Sequence, residues 1–322
     1  MEYEALLTLA EDAVRRASRV CGWVQDRIAG QAITKGDKSP VTVADYAAQA
    51  IVSMTLANAA PSIPLVGEED ASALRDGAHA EHRAEVLSLV RRVFTDASEV
   101  DVLEAIDRGI HAGGPTGRHW VLDPIDGTKG FLRGGQYAVA LGLVEEGVVS
   151  LGVLGCPNLD QGGRLFSARR GHGAQSASLE GDDAVAIRVS SETDASKARF
   201  CESVEAAHSA HGWSAAIGRT LGVTTEPYRI DSQCKYAAVA RGDAAIYLRL
   251  PTRKGYVEKI WDHAAGYLIV TEAGGRVTDI HGEDLDFSCG RLLAKNQGVI
   301  ATNGPLHPSV LAAVAKNHPT LD

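Results

Sequence analysis

No apolar run in the 322 residues approaches the ~20 consecutive positions that a membrane-spanning helix needs, so a membrane partner is not expected. The chain also has no Lys/Arg tract. Its formal net charge is −9, and the average field repels a polyanion such as DNA. A small phosphorylated ligand can still bind where cations are concentrated locally, and bound metal ions are one way to supply them. The five cysteines (Cys21, Cys156, Cys201, Cys234, Cys289) are odd in number, widely spaced and free of any CxxC pair. That argues against a disulfide framework or a zinc centre, and for reduced thiols in a cytoplasmic setting. The amino-terminal stretch carries acids early and is amphipathic, unlike a secretory signal or an acid-poor transit peptide, although an organellar location stays open. Internal repeats and low-complexity tails are absent too. What is present, 45% hydrophobic and 23% charged residues, is the mixture of a soluble globular protein with a substantial core.

Leu6, Leu7, Ala10, Val14, Ala17 and Val20 recur near helical spacing, which predicts an amphipathic helix over residues 1–28. Gly36, Ser39 and Pro40 interrupt it. A second helix is expected to begin at Thr42 or Asp45 and to stop near Ala59, before Pro61. Residues 63–66 read as a short strand delivering Gly67-Glu68-Glu69-Asp70, and 119–122 as a strand ending in Asp123. Residues 136–156 predict a hairpin turning at Glu145-Glu146-Gly147, followed by a further β segment at 164–168. Residues 174–184 lack periodicity, and the domain junction is placed there. Beyond it, strands (185–189, 199–203, 227–231, 244–250, 276–279, 298–302) alternate with helices (213–220, 233–241, 262–273, 306–316). The expected organisation is an α+β domain over 1–184 and an α/β domain over 185–322, flanking a cleft.

The chemistry concentrates in Trp120-Val-Leu-Asp-Pro-Ile-Asp-Gly-Thr-Lys-Gly130. Pro124 fixes φ and is expected to turn the chain, so that Asp123 and Asp126 converge and the Ile125 carbonyl is freed as an oxygen donor. Gly127 and Thr128 would open a helix whose N–H groups favour a phosphate. Hard oxygen donors without Cys or His suit Mg²⁺ or Mn²⁺. By themselves the two aspartates read first as an Asx turn capping a helix, and only their company reverses that. Likewise Gly67–Asp70 reads as a solvated charge run, and Asp262 in Trp261-Asp-His-Ala-Ala-Gly266 as an N-cap. Together, Glu68, Asp123, Asp126 and Asp262 would gather about four negative charges, which would raise one another's pKa values unless divalent cations neutralised them.

These segments, with Lys35-Gly-Asp-Lys-Ser-Pro-Val-Thr-Val-Ala-Asp-Tyr46, Ser203-Val-Glu-Ala-Ala-His-Ser209, Asp231-Ser-Gln-Cys-Lys-Tyr236, Tyr247-Leu-Arg-Leu250 and Glu258-Lys-Ile-Trp-Asp-His-Ala-Ala-Gly266, carry a resemblance over nearly the whole chain. They are similar to the lithium-sensitive, Mg²⁺-dependent phosphatases that include inositol monophosphatase, and within them to the 3′(2′),5′-bisphosphate nucleotidases. The resemblance implies a layered αβαβα sandwich. It implies two or three Mg²⁺ ions held by Glu68, Asp123, the Ile125 carbonyl, Asp126 and Asp262, with Li⁺ as inhibitor. Catalytic roles fall on Thr128 and Asp45, which would activate water. Gly127, Thr128, His208, Ser232, Lys235 and Arg249 would bind a bisphosphorylated nucleotide. A small molecule is the expected partner, with no obligate oligomer.

Several readings stay open. Asp45 fits a helix cap as well as catalysis, Arg249 a solvent-facing place on its strand, and His208 a surface or helix-end position. Cys234, beside Lys235, is either a lowered-pKa thiol sensitive to oxidation or an inert buried one. An inositol polyphosphate 1-phosphatase and a catalytically silent nucleotide sensor are the competing functions.

Overall fold

The structure, a computed structural model, describes residues 2–29, 39–204, 211–253 and 255–318. Part of the Lys35–Tyr46 segment and His208 therefore lie outside the described residues. The chain opens with helices α1 (Tyr3–Ala29) and α2 (Ser39–Ala59), then β1 (Leu65–Gly67), α3 (Ala80–Val90), α4 (Glu99–Asp107), β2 (Arg118–Asp126) and the short α5 (Thr128–Leu132). An antiparallel run follows: β3 (Ala138–Glu145), β4 (Val148–Cys156), β5 (Arg164–Arg169), β6 (Ala174–Ser178) and β7 (Val185–Ile187). The remainder is β8 (Phe200–Glu202), α6 (His211–Leu221), β9 (Tyr228–Arg229), α7 (Cys234–Arg241), β10 (Ile246–Arg249), α8 (Ala264–Glu272), β11 (Arg276–Thr278), β12 (Val299–Thr302) and α9 (His307–Lys316).

Strands β1 to β7 form one sheet in sequence order, parallel between β1 and β2 and antiparallel beyond. The second sheet has the order β11-β12-β10-β8-β9. Three apolar cores separate five layers. Leu6, Val14 and Val20 of α1 and Ile51 of α2 bury against Trp120, Leu122, Leu141 and Leu151 on one face of the first sheet. Val121, Ala140 and Phe166 on its other face meet α7 and α8, whose far side meets Tyr247, Val299 and Ala301 of the second sheet. Trp213 and Ile217 of α6 and Val310 and Val314 of α9 cover that sheet's outer face at Ile246 and Ile300. The layered αβαβα sandwich is thus the observed architecture. Helix α2 is apolar nearly all round because α1, α3, α4 and β2 enclose it.

Three expectations change. Helix α2 begins at Ser39, because Pro40 in a first turn forfeits no hydrogen bond; Asp45 is therefore inside the helix and not its cap. Residues 174–178 are a strand in register with β5, Ala168 opposite Ala174 and Arg164 opposite Ser178. Its small side chains, Ala-Gln-Ser-Ala-Ser, carry no period-2 signal, so pairing and not hydrophobicity places it. Residues 185–187 pair with β6, so the first sheet continues past the junction placed at 184.

Helix α8 lies unusually close to its neighbours because of glycines. A Cβ on Gly152 would stand 2.8 Å from the Ala265 carbonyl oxygen, and one on Gly266 would stand 2.2 Å from Cδ2 of Tyr236. The Tyr236 ring is buried and its hydroxyl lies 2.7 Å from His263 Nδ1, so it has nowhere to go. Gly266→Ala is accordingly expected to cost about 1–3 kcal/mol of stability through overpacking, measurable by urea unfolding. An unchanged midpoint would contradict this packing.

Candidate active site

Strand β2 runs on through Pro124 and Ile125 to Asp126, and the turn expected at Pro124 comes instead at Gly127, whose φ is +93°. What Pro124 does is break the ladder. Asp123 lies opposite Ala140 and Asp126 opposite Ala138, so three steps on β2 match two on β3, a one-residue bulge that takes the intervening residues out of the pairing. In an unbroken strand, residues three apart point to opposite faces. The bulge puts both carboxylates on the face that Ala138 and Ala140 share, toward α7 and α8, with the Ile125 backbone between them.

Neither aspartate caps a helix. The first residue before α5 is Gly127, and Asp126 Oδ2 accepts the Gln233 backbone N–H at 2.6 Å. Asp123 is buried, and its Oδ1 has no hydrogen-bond partner among the described residues. Asp262 closes a 3₁₀ turn before α8. It caps nothing; its Oδ2 accepts Arg249 Nη2 at 2.7 Å.

The electrostatics show that the predicted acids converge. Burial, then Glu68, Asp126, Asp262 and Asp45, pushes the Asp123 carboxyl well above the usual range. Asp45 is buried and raised likewise, by desolvation and by Glu69 and Glu68. Glu68 keeps access to solvent at the end of β1, yet desolvation, Glu69, Asp262 and Asp126 push it up to about 7. For Asp126, burial and Asp262 outweigh the lowering by Arg249, Lys235 and the Gln233 amide. An orphaned buried carboxylate oxygen amid oxygen-only donors fits a hard divalent cation. Among the described residues, the acidic group with the closest ligand atoms is a different one: Glu258, Asp262 and His263, all within 4.8 Å. Arg249 bridges its two carboxylates and His263 is engaged by Tyr236, so we assign that trio to an ion-pair network.

A cavity of about 340 Å³ opens beside this cluster, from Asp126, Gly127 and Thr128 past Ser232 and Lys235 to Tyr247, Arg249 and Tyr256. Lys235 is buried, its ammonium 5.5 Å from the Tyr247 ring centroid; burial lowers its pKa, with Arg249 adding and Asp126 and Asp231 opposing. Ser232 takes φ +64°, and its Cβ would lie 2.8 Å from a Cβ at Gly127, so only glycine fits there. Thr128 is exposed at the start of α5 and no hydrogen bond joins it to Asp45 among the described residues. Arg249 is neither solvent-facing nor free: it is paired with Glu258 and Asp262. The Cys234 thiol is buried and donates to the Tyr137 carbonyl at 3.3 Å, away from the cavity its neighbour lines.

Motif reading passed over the residues that hold the acids in place. Gln49, buried on α2, donates to the Glu69 carbonyl at 2.6 Å and the Ile106 carbonyl at 2.8 Å and accepts the Glu69 N–H at 3.1 Å. Arg291 donates to the carbonyls of Gly67, Gly109 and His111, with its guanidinium 4.8 Å from the Trp261 ring centroid. It therefore ties the β1 end to the turn bearing Asp262. Only three-dimensional contact reveals either role. Glu258 did lie inside a quoted motif.

The profile of the Inositol monophosphatase family matches residues 2–319. The chain belongs to the inositol monophosphatase family. A 3′(2′),5′-bisphosphate nucleotidase of Oryza sativa is 51% identical over 97% of this chain and 94% of its own length. Proteins of the same name from Emericella nidulans (46% identical; 98% of this chain, 99% of theirs) and Schizosaccharomyces pombe (43%; 98% and 96%) are also similar. Among solved structures, a Thermotoga maritima IMPase superposes with a TM-score of 0.67 at 21% identity, covering 97% of this chain and 98% of that one. The family fold accounts for the five layers, and the family is one of metal-dependent phosphatases.

Crowding sets a pH dependence. A carboxyl raised in the folded state stabilises below its unfolded pKa, and that contribution is lost as pH climbs through the folded value. For Glu68 the window runs from 4.5 to about 7. The Tm of the EDTA-treated protein should therefore fall across that window. Added Mg²⁺ should raise Tm more at pH 8 than at pH 5, since it binds the deprotonated acids. A metal-free Tm that is flat with pH would count against the cluster.

Proposed function

We propose that this chain is a Mg²⁺-dependent phosphomonoesterase that hydrolyses adenosine 3′,5′-bisphosphate to AMP and phosphate, with related activity on 3′-phosphoadenylyl sulfate. The observation that carries the reading is the convergence of Glu68, Asp123, Asp126 and Asp262 beside a cavity that Asp126 lines together with Lys235 and Arg249. The names of the similar nucleotidases point the same way. The apolar walls at Phe200, Leu248 and Leu250 suit a flat base better than an inositol ring.

Glu68, Asp123, the Ile125 carbonyl, Asp126 and Asp262 would hold two or three Mg²⁺ ions (or Mn²⁺), which when bound offset phosphoryl charge and acidify the attacking water; Li⁺ would inhibit. Thr128 orients that water and passes its proton toward the buried Asp45, the acceptor once bound metal offsets the neighbouring acids that hold its carboxyl protonated. For this, Thr128 has to move within hydrogen-bonding reach of Asp45. The N–H groups of Gly127 and Thr128 face the reacting phosphate, and Lys235 with Arg249 takes the other. His208 would contact the nucleotide. The chain would act as a monomer, and its five free thiols fit a reducing compartment such as the cytoplasm.

Phosphate release assayed with Mg²⁺ and then with EDTA separates an enzyme from a silent sensor, and Asp123→Ala should abolish turnover. Asp45→Asn should lower kcat by about 10²–10⁴-fold with little change in KM. A higher kcat/KM on inositol 1,4-bisphosphate than on adenosine 3′,5′-bisphosphate would defeat the nucleotide assignment.

A further inference from the structure

Arg249 stands where two demands meet. Its Nη2 donates to Asp262 at 2.7 Å and its Nε lies 2.8 Å from Glu258 Oε2. Glu258 is buried and anchored in turn: the same oxygen lies 3.3 Å from His263 Nε2, and His263 Nδ1 lies 2.7 Å from the Tyr236 hydroxyl. Arg249 is also a wall of the cavity, next to Lys235. It is thus both a lining residue of the cavity and the counter-ion of Asp262, the metal ligand proposed above. Two carboxylates held along its Nε/Nη2 edge more than offset the single charge of the guanidinium, so while both are ionised it offers a phosphate little net attraction.

We infer that Arg249 is a placeholder cation: it neutralises Asp262 in the metal-free protein and is released to the anionic substrate when a divalent cation takes that carboxylate. The inference rests on the metal-ligand role proposed for Asp262. Glu258 is then a positioning residue. It keeps hold of Nε, so that the side chain stays in place while Nη2, released by Asp262, becomes available to the cavity. The consequence is coupled binding. Metal raises affinity for the nucleotide beyond simple charge neutralisation, and by linkage nucleotide raises affinity for metal equally.

The competing account is plain repulsion, in which the acids push the nucleotide away and Arg249 has no special part. A double-mutant cycle without metal separates the two. Calorimetric titration of adenosine 3′,5′-bisphosphate in EDTA compares the wild type, Asp262→Asn, Arg249→Gln and the double variant. The placeholder predicts that Asp262→Asn tightens binding by about tenfold or more with Arg249 present, and by less than about threefold without it. An equal gain in both backgrounds overturns the placeholder. Arg249→Met and Asp262→Ala replace any variant that melts before the titration temperature. A parallel Mg²⁺ titration tests the underlying reading: affinity unchanged in Asp262→Asn removes Asp262 from the metal site. Affinity lost there with an additive cycle overturns the placeholder alone.

Discussion

Repulsion between carboxylates is the constraint from which the rest of this site follows. Asp45, Glu68, Asp123 and Asp126 all have their ionised forms disfavoured, first by burial and then by one another. A fold tolerates such a group only where other interactions fix it. The scaffold is accordingly stiff around it: the Gln49 amide clamps the Glu69 peptide, Arg291 gathers three carbonyls at the β1 end, and the Gln233 amide holds Asp126. Each donor is aimed at backbone or at one carboxylate oxygen, which leaves Asp123 Oδ1 unserved among the described residues.

The layering explains why the acids come from such distant parts of the chain. Strands β1 and β2 are the parallel pair of the first sheet, so Glu68 and Asp123 leave it at the same edge. Helix α8 packs on the opposite face from α1 and α2, pressed onto glycine backbone in β4, and the turn before it carries Asp262 back to that edge. Helix α7 lies between the two sheets beside α8 and brings Gln233 and Lys235 to the same place. The cavity is then the gap left between that helix, the end of β2 and the strand β10.

Much of this was legible in the sequence, for physical reasons that can be named. The helices α1 and α9 announce themselves by periodicity because one face is buried, and the hairpin β3–β4 by two apolar β runs, buried on both faces, about a polar turn. The acids were legible because carboxylates placed just after apolar strands are costly unless used. Strand β6 was not, since Ala and Ser pair well in the middle of a sheet without marking it. Nor was the extension of β2 through Pro124, because a proline ordinarily ends a ladder and here it only interrupts one. Arg249 looked like a free phosphate donor on its strand, whereas its partners Glu258 and Asp262 are nine and thirteen positions away around a turn. Pairing of that sort is decided by tertiary packing.

The bulge in β2 carries one more consequence, concerning length and not composition. Since a strand alternates faces at every residue, the segment from Asp123 to Asp126 obeys a parity rule set by its single supernumerary residue. Removing one residue between the two aspartates would restore a regular ladder and deliver both carboxylates to one face without a bulge, but with no freed carbonyl between them. Adding one instead makes the spacing four, which in a regular ladder also returns both carboxylates to one face but holds them about 13 Å apart along the strand, too far to share an ion. The four residues Asp-Pro-Ile-Asp therefore behave as a unit of fixed count, pinned as well by the Ile125 side chain, which is buried in the core that α1 and α2 share with this sheet.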